Sequence, residues 1–195
     1  MRGRAADQIP LFDYGQTLPN GFSYHPDFLS ESEEALLLEL FAELPLKNAP
    51  YGEYIAKRRI LSFGWMYNEE EQKLAPAFEP LPDFLRPIAT RAAALAGIPK
   101  DRVVEALITE YPLGAGVGWH CDQESFQMVL GVSLGSWFTF DLRPLKSSGL
   151  KDEYSLTLEP RSAYLMKGES RWSYQHRVEP TKGHRYSITF RTLPV

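Results

Sequence analysis

Hydrophobic residues follow two different spacings along the chain. After Ser30 they recur every three or four positions, at Leu36, Leu37, Leu40, Phe41 and Leu44. This spacing predicts a helix that starts with a capping box formed by Ser30 and Glu33 and ends before Pro45. A second helix is predicted over 83–96, because Pro87 is tolerated near a helix start and Gly97 is a typical helix stop.

Beyond Gly97 hydrophobic and polar residues alternate in short runs separated by Gly and Pro, which predicts strands. The predicted strands are 103–111, 126–134, 137–143, 154–159, 162–166, 171–179 and 184–192. Two helices followed by these strands predict an α+β fold of the double-stranded β-helix (jelly-roll) kind, with the N-terminal helices packed on one sheet. Residues 1–20 are expected to form a flexible arm, and residues 21–195 a single domain.

Composition narrows the class of protein. The 195 residues are 44% hydrophobic and 24% charged, which is typical of a soluble globular domain, and we expect neither a membrane span nor a signal peptide. The single cysteine, Cys121, excludes an internal disulfide and fits a reducing compartment, so a cytoplasmic location is expected. A net charge of −4 argues against a general polyanion binder, and any nucleic-acid contact should be small and close to an active site.

Candidate metal ligands occur at His120, Asp122 and His176. One residue separates His120 from Asp122, so on an extended segment both side chains leave the same face, while Cys121 points away. His176 lies in a separate predicted strand and can supply a third ligand. This set suits Fe(II) and leaves positions open for oxygen and a chelating 2-oxo acid. Zinc is the competing metal, and it would imply a hydrolytic site.

The last predicted strand has a polar face formed by Arg185, Ser187, Thr189 and Arg191, opposite Tyr186, Ile188 and Phe190. Arginine binds carboxylates in a bidentate manner, so this polar face fits a pocket for a dicarboxylate co-substrate such as 2-oxoglutarate. In the alternative interpretation the polar face lies in water and the arginines are ordinary surface charges. Alternation alone does not decide between the two.

A different chemistry is suggested by Gly131-Val132-Ser133-Leu134-Gly135, which matches the G-x-S-x-G nucleophile elbow, with Asp141 and His176 following in the required order. That motif requires a strand, a sharp turn and a helix. An aromatic, strand-like run follows here instead, so a hydrolase is the weaker hypothesis. A jelly roll that binds ligands without turnover is a further alternative.

Several short segments carry a family resemblance: Leu107-Ile108-Thr109-Glu110-Tyr111-Pro112, Trp119-His120-Cys121-Asp122, Val132-Ser133-Leu134-Gly135, Gly168-Glu169-Ser170-Arg171 and Arg185-Tyr186-Ser187-Ile188-Thr189-Phe190-Arg191. Together they make residues 58–193 resemble the AlkB family of Fe(II)/2-oxoglutarate dioxygenases, which oxidatively dealkylate nucleobases. The last segment closely matches the RxNxTFR signature of the family.

The resemblance implies roles for individual residues. His120, Asp122 and His176 would bind iron, and the 2-oxoglutarate site would comprise Arg185, Arg191, Tyr111, Thr109 and Ser187. The family commonly has Asn where Thr109 and Ser187 stand.

The resemblance also implies a substrate-recognition lid at about residues 50–82. In this lid Trp65 and Tyr67 would stack on a base while Arg58 and Arg59 meet phosphate, and Glu124 would attract a cationic N-methylated base. The expected reaction releases formaldehyde, succinate and CO2 from O2, 2-oxoglutarate and an alkylated, single-stranded nucleic acid, in a monomeric enzyme. The alternative is the same chemistry on a protein or small molecule.

Overall fold

The structure is a computed structural model that describes residues 18–51, 54–68, 73–76 and 80–194, and it describes the backbone alone at positions 50, 51, 54, 66–68, 73, 74 and 76. Most of the predicted N-terminal arm (1–17) and parts of the predicted lid lie outside the described residues. The elements follow in the order β1 (Phe22–His25), α1 (Glu31–Ala42), β2 (Lys47–Tyr51), β3 (Tyr54–Asn68), β4 (Lys73–Pro76), α2 (Arg86–Ala96), β5 (Val103–Tyr111), β6 (Val117–His120), β7 (Val129–Gly135), β8 (Phe138–Pro144), β9 (Tyr154–Leu158), β10 (Ala163–Met166), α3 (Glu169–Trp172), β11 (Tyr174–Val178) and β12 (Arg185–Thr192).

In the described part of the chain the strands form two antiparallel sheets. The larger sheet has the order β1-β10-β7-β12-β5-β3-β2, with β4 paired to β3, and the smaller sheet has the order β6-β11-β8-β9. Side chains from both sheets, among them Tyr111, Val129, Phe140 and Leu158, form one hydrophobic core between them. This arrangement confirms the predicted jelly roll.

The two predicted helices cover the outer face of the larger sheet. Leu37 and Phe41 of α1 and Ile88 of α2 share a second core with Ile188 and Phe190 of β12. Ser30 caps α1 through the predicted capping box, since the Glu33 main-chain N–H donates to its hydroxyl (3.2 Å) and the Ser30 N–H donates to the Glu33 carboxylate (2.9 Å). The larger sheet is therefore buried on both faces.

The prediction of one strand over 171–179 is wrong in its first part. Residues Glu169–Trp172 form the short helix α3, and the strand begins only at Tyr174. Gly168 has a φ of 55°, which turns the chain ahead of α3, and the Arg171 side chain is buried instead of continuing a strand face. Five further strands, β1–β4 and β6, had not been predicted as separate strands.

Residues 58–67, predicted to belong to a lid, lie within β3. This strand pairs with β5 from Arg59 opposite Glu110 to Gly64 opposite Glu105 and therefore belongs to the larger sheet. Among the described residues no helix has the length and apolar character needed to cross a lipid bilayer.

Candidate metal centre

The three predicted metal ligands meet at one point between the sheets. The candidate ligand atoms of His120, Asp122 and His176 all lie within 4.8 Å of one another. Nε2 of His176 is 3.4 Å from Oδ2 of Asp122, and the two imidazole centroids are 4.2 Å apart. Among the residues that the structure describes, no other group of His, Cys, Asp and Glu meets in this way.

Strand pairing in the smaller sheet explains this convergence. His120 at the end of β6 lies directly opposite His176 in β11, so both imidazoles leave the same face of the sheet. Asp122 follows in the loop after β6. The buried Arg171 fixes this loop, because its guanidinium donates hydrogen bonds to the main-chain oxygens of Asp122 (3.3 Å), Gln123 (2.7 Å) and Phe126 (3.0 Å). The Cys121 thiol contacts the Tyr174 main-chain oxygen (3.8 Å), and Cys121 also borders the cavity between the sheets.

Each ligand presents an atom that suits a metal ion. Nδ1 of His120 donates to the Gly118 main-chain oxygen (2.9 Å), which leaves Nε2 for the metal. Oδ1 of Asp122 accepts from Arg191 (2.8 Å), whereas Oδ2, although buried, has no hydrogen-bond partner within the described residues. A buried carboxylate oxygen without a partner is costly, and a cation at this point would satisfy it. The residues therefore fit a divalent metal.

The electrostatic environment favours the metal-binding forms of Asp122 and His176. Burial alone would raise the pKa of the Asp122 carboxyl, but the neighbouring Arg191 holds that pKa well below its ordinary value. Burial lowers the pKa of His176 to about 4, which keeps the ring neutral near pH 7. A carboxylate and neutral imidazoles are the forms that coordinate divalent iron.

Arg191 is fixed between two carboxylates. It donates to Glu105 (2.9 Å) as well as to Asp122, and the strand register places Arg191 of β12 opposite Glu105 of β5. Burial raises the pKa of Glu105, and the neighbouring Arg191 opposes this rise. Glu105 was not predicted from the sequence, although it alternates with Leu107, Thr109 and Tyr111 on the same face of β5 and could have been found that way.

Arg185 is the second cation of the site and has a different environment. It is 2% exposed, and its guanidinium carbon lies 4.4 Å from the ring centroid of Tyr111 and 3.7 Å from that of Phe138. Its Nε and Nη1 have no hydrogen-bond partner among the described residues, and burial lowers its pKa. A buried guanidinium with unused donors next to a cavity is suited to bind an anion.

A cavity of about 330 Å³ joins the metal ligands to this cation. The polar face of β12 lines it, while Tyr186, Ile188 and Phe190 pack under the helices, so the structure confirms the pocket interpretation of the last strand. Thr109 and Tyr111 also line the cavity, opposite Ser187 and Arg185 in the sheet register. All five residues predicted for the 2-oxoglutarate site therefore surround one space.

The predicted substrate residues are more dispersed. Arg58 lines the cavity, whereas Arg59 is ion-paired with Glu110. Trp65 is 37% exposed and is not among the described residues that line the cavity. The Tyr67 side chain lies outside the described residues, and Glu124 is exposed in the loop after Asp122. Base and phosphate contacts by these residues stay predictions.

The nucleophile elbow is not present at Ser133. This residue lies inside β7, is 2% exposed, and is followed by β8 instead of a helix. Asp141, the acid that the elbow would need, is ion-paired with Arg177 (2.6 Å). The other two histidines also have local partners: His25 bonds with Ser23 (2.9 Å) and His184 with Glu110 (3.0 Å).

Comparison with known proteins agrees with this geometry. The family model described as the 2OG-Fe(II) oxygenase superfamily matches residues 21–191. An uncharacterized protein, L905, of Acanthamoeba polyphaga mimivirus is 25% identical over 191 residues, covering 89% of this chain and 85% of that protein. The probable RNA/DNA demethylase ALKBH6 of Danio rerio is 31% identical over 165 residues, covering 80% of this chain and 68% of that protein.

The fold also resembles that of a solved structure. The structure of OsALKBH1 superimposes with a TM-score of 0.68 at 15% identity, covering 91% of this chain and 99% of that chain. The family model, the relatives and the metal triad agree with one another. The chain therefore belongs to the AlkB family of 2OG-Fe(II) oxygenases, and its cofactor and co-substrates are Fe(II), 2-oxoglutarate and O2.

Proposed function

We propose that this oxygenase oxidatively dealkylates N-alkylated bases in DNA or RNA, with a single-stranded nucleic acid as its substrate and DNA repair as its role. The observation that carries the proposal is a second, shallow cavity of about 230 Å³ beside the first, with which it shares Arg58 and Gly118. Its remaining lining comes from Ala56 and Lys57 of β3 and from the glycine-rich loop between β5 and β6. A cationic groove that leads into the catalytic cavity suits a phosphate chain carrying an extruded base.

The chain's own residues divide the work. His120, Asp122 and His176 would hold the metal, which would supply the oxidising chemistry when iron, 2-oxoglutarate and O2 are bound. Arg185, with its unused donors, would hold the carboxylate of 2-oxoglutarate that lies farther from the metal. Arg191, which already contacts Asp122, would face the carboxylate nearer to it.

Substrate binding would use the rim of the cavity. Lys57 and Arg58 would contact phosphates, and the exposed Glu124 would attract the positive charge of an N-methylated base, which an unmodified base lacks. Oxidation of the N-alkyl carbon gives a hydroxymethyl group, which leaves as formaldehyde and restores the base, while 2-oxoglutarate becomes succinate and CO2. We also propose that residues 21–195 act as a monomeric domain in the cytoplasm, with residues 50–82 as its recognition lid.

The proposal is tested by formaldehyde release. The protein, with iron, 2-oxoglutarate and ascorbate in air, is incubated with single-stranded DNA and RNA oligonucleotides that each carry one N-methylated base, and His176→Ala serves as the inactive control. We expect formaldehyde and the unmodified base in equal amounts from at least one oligonucleotide. Turnover of 2-oxoglutarate without loss of any base methyl group would overturn the nucleic-acid proposal and would direct attention to a protein or small-molecule substrate.

A further inference from the structure

Tyr164 of β10 lines the same cavity as the candidate metal ligands, and no role was predicted for it from the sequence. It lines the cavity together with Arg185, Thr189 and Arg191. The sheet register explains its position, because Tyr164 pairs with Gly131 of β7, which in turn pairs with Thr189 of β12. Tyr164 therefore lies two strands away from the arginine face, separated from it by a glycine.

Because Gly131 has no side chain, the Tyr164 ring can lie across β7, the strand between β10 and β12. A Cβ atom at Gly131 would overlap Cε1 and Cζ of Tyr164 and would lie 2.6 Å from its hydroxyl oxygen. The end of the ring, including the hydroxyl, thus lies directly over the glycine of β7, the strand between β10 and β12. Any larger residue at position 131 would displace the ring.

Aromatic packing keeps the ring in this place. Its plane is within 4° of that of Phe22, with a centroid distance of 5.9 Å, and the Phe140 centroid is 4.9 Å away. The hydroxyl lies among charged and polar groups of the cavity: burial raises the pKa of Tyr164, Asp122 and Tyr111 add to the rise, and Arg185 and Arg191 oppose it. The phenol is therefore neutral and can donate one hydrogen bond.

We propose that the Tyr164 hydroxyl is a further co-substrate-binding group, which donates a hydrogen bond to the 2-oxoglutarate carboxylate that Arg185 holds. The unused donors of Arg185 and a neutral phenol are complementary to the same dianionic ligand. Gly131 is a positioning residue in this arrangement, since it gives the ring its place. The inference depends on the oxygenase chemistry of the family and on the co-substrate position proposed above, and it does not depend on a nucleic-acid substrate.

The test compares two ligands in the Tyr164→Phe variant. With Mn(II) in place of iron and without O2, binding of 2-oxoglutarate and of 2-oxobutyrate, which has no distal carboxylate, is measured by calorimetry. We expect the affinity for 2-oxoglutarate to fall about tenfold, the usual effect of losing one hydrogen bond to a charged group. The affinities for 2-oxobutyrate and Mn(II) should stay within twofold of those of the unmodified protein.

Two further variants complete the design. Tyr154→Phe removes a phenol from the same core but from outside the cavity lining, so it should change neither affinity. Gly131→Ala should reproduce the selective loss of 2-oxoglutarate binding, and it replaces Tyr164→Phe if that variant does not fold. An equal loss of affinity for 2-oxoglutarate and 2-oxobutyrate, or no loss for either, would overturn the inference. That outcome would leave the formaldehyde result from methylated oligonucleotides unaffected.

Discussion

Asp122 shows how one side chain can serve two purposes in this site. Its Oδ1 accepts a hydrogen bond from Arg191, while its Oδ2 lies 3.4 Å from Nε2 of His176 and has no hydrogen-bond partner within the described residues. Arg191 therefore contacts a candidate metal ligand directly and also lines the cavity proposed for the co-substrate. Arg185, six residues earlier in β12, contacts aromatic rings and no carboxylate among the described residues. The two arginines should respond differently to the same substitution.

Arg185→Lys should weaken the binding of 2-oxoglutarate without changing the binding of the metal. Lysine keeps the charge but loses the planar fork that binds a carboxylate with two parallel hydrogen bonds. We expect the 2-oxoglutarate affinity of the Mn(II)-loaded protein to fall about tenfold, with Mn(II) affinity unchanged. Arg191→Lys is the matched variant, and because it disturbs the carboxylate that holds the metal, Mn(II) affinity itself should fall about tenfold. Identical effects of the two substitutions on metal affinity would contradict this division of roles.

At the scale of secondary-structure elements, Glu110 connects three neighbouring strands of the larger sheet. It lies in β5 and accepts hydrogen bonds from Arg59 of β3, from Tyr186 of β12 (3.2 Å) and from His184 just before β12 (3.0 Å). These bonds, that from Arg59 above all, lower the pKa of Glu110 to about 2. The ionised carboxylate therefore stabilises the fold at neutral pH, and the contribution is lost as the pH falls from the ordinary carboxyl range towards 2.

Glu110→Gln should therefore lower the free energy of unfolding at pH 7 by about 1–3 kcal/mol, because a neutral amide cannot replace a carboxylate with three donors. The difference in unfolding free energy between the variant and the unmodified protein should shrink as the pH falls below about 4.3. Urea unfolding between pH 7 and pH 3 measures both effects. Glu39→Gln, at an exposed position of α1, is the control and should change stability little at any pH. A deficit that stayed constant with pH would refute the role of the ionised carboxylate.

The same elements show what the sequence could and could not predict. Strands β5 and β12 were predicted almost to the residue, because alternation is regular where one face lines a cavity and the other packs under helices. The lid prediction for residues 50–82 rested on the resemblance of residues 58–67 to the AlkB family, and it did not show that these residues lie in β3. Its sheet position depends on pairing with β5, which lies about 50 residues away in the chain and leaves no local signal. α3 was missed for a similar reason, since the buried partners of Arg171 are distant in sequence.

The candidate site follows the same rule. The convergence of the three candidate metal ligands and of both arginines on one cavity agrees with the prediction, because residue type and spacing carry their chemistry. Tyr164 was not predicted, because its role depends on strand order β10-β7-β12 and on a glycine in the strand between. Glu105 depends on a cross-strand partner in the same way. Spacing within one segment can be seen in a sequence, whereas the order of strands in a sheet appears only in the fold.

At the scale of the whole molecule, a net charge of −4 coexists with a small cationic groove. Such a protein should bind nucleic acid through few phosphates, so its affinity for single-stranded oligonucleotides should depend only modestly on salt. Two contacts, by Lys57 and Arg58, predict a slope of log affinity against log salt near −1.4, from about −0.7 per phosphate. Lys57→Ala should remove one phosphate contact and so reduce the magnitude of this slope by about 0.7. Fluorescence anisotropy at several salt concentrations measures the slope. Lys151→Ala is the control, because Lys151 is an exposed lysine just before β9 and its removal should leave the slope unchanged. An equal effect of both variants would mean that the acidic molecule attracts phosphate through diffuse charge and not through the groove.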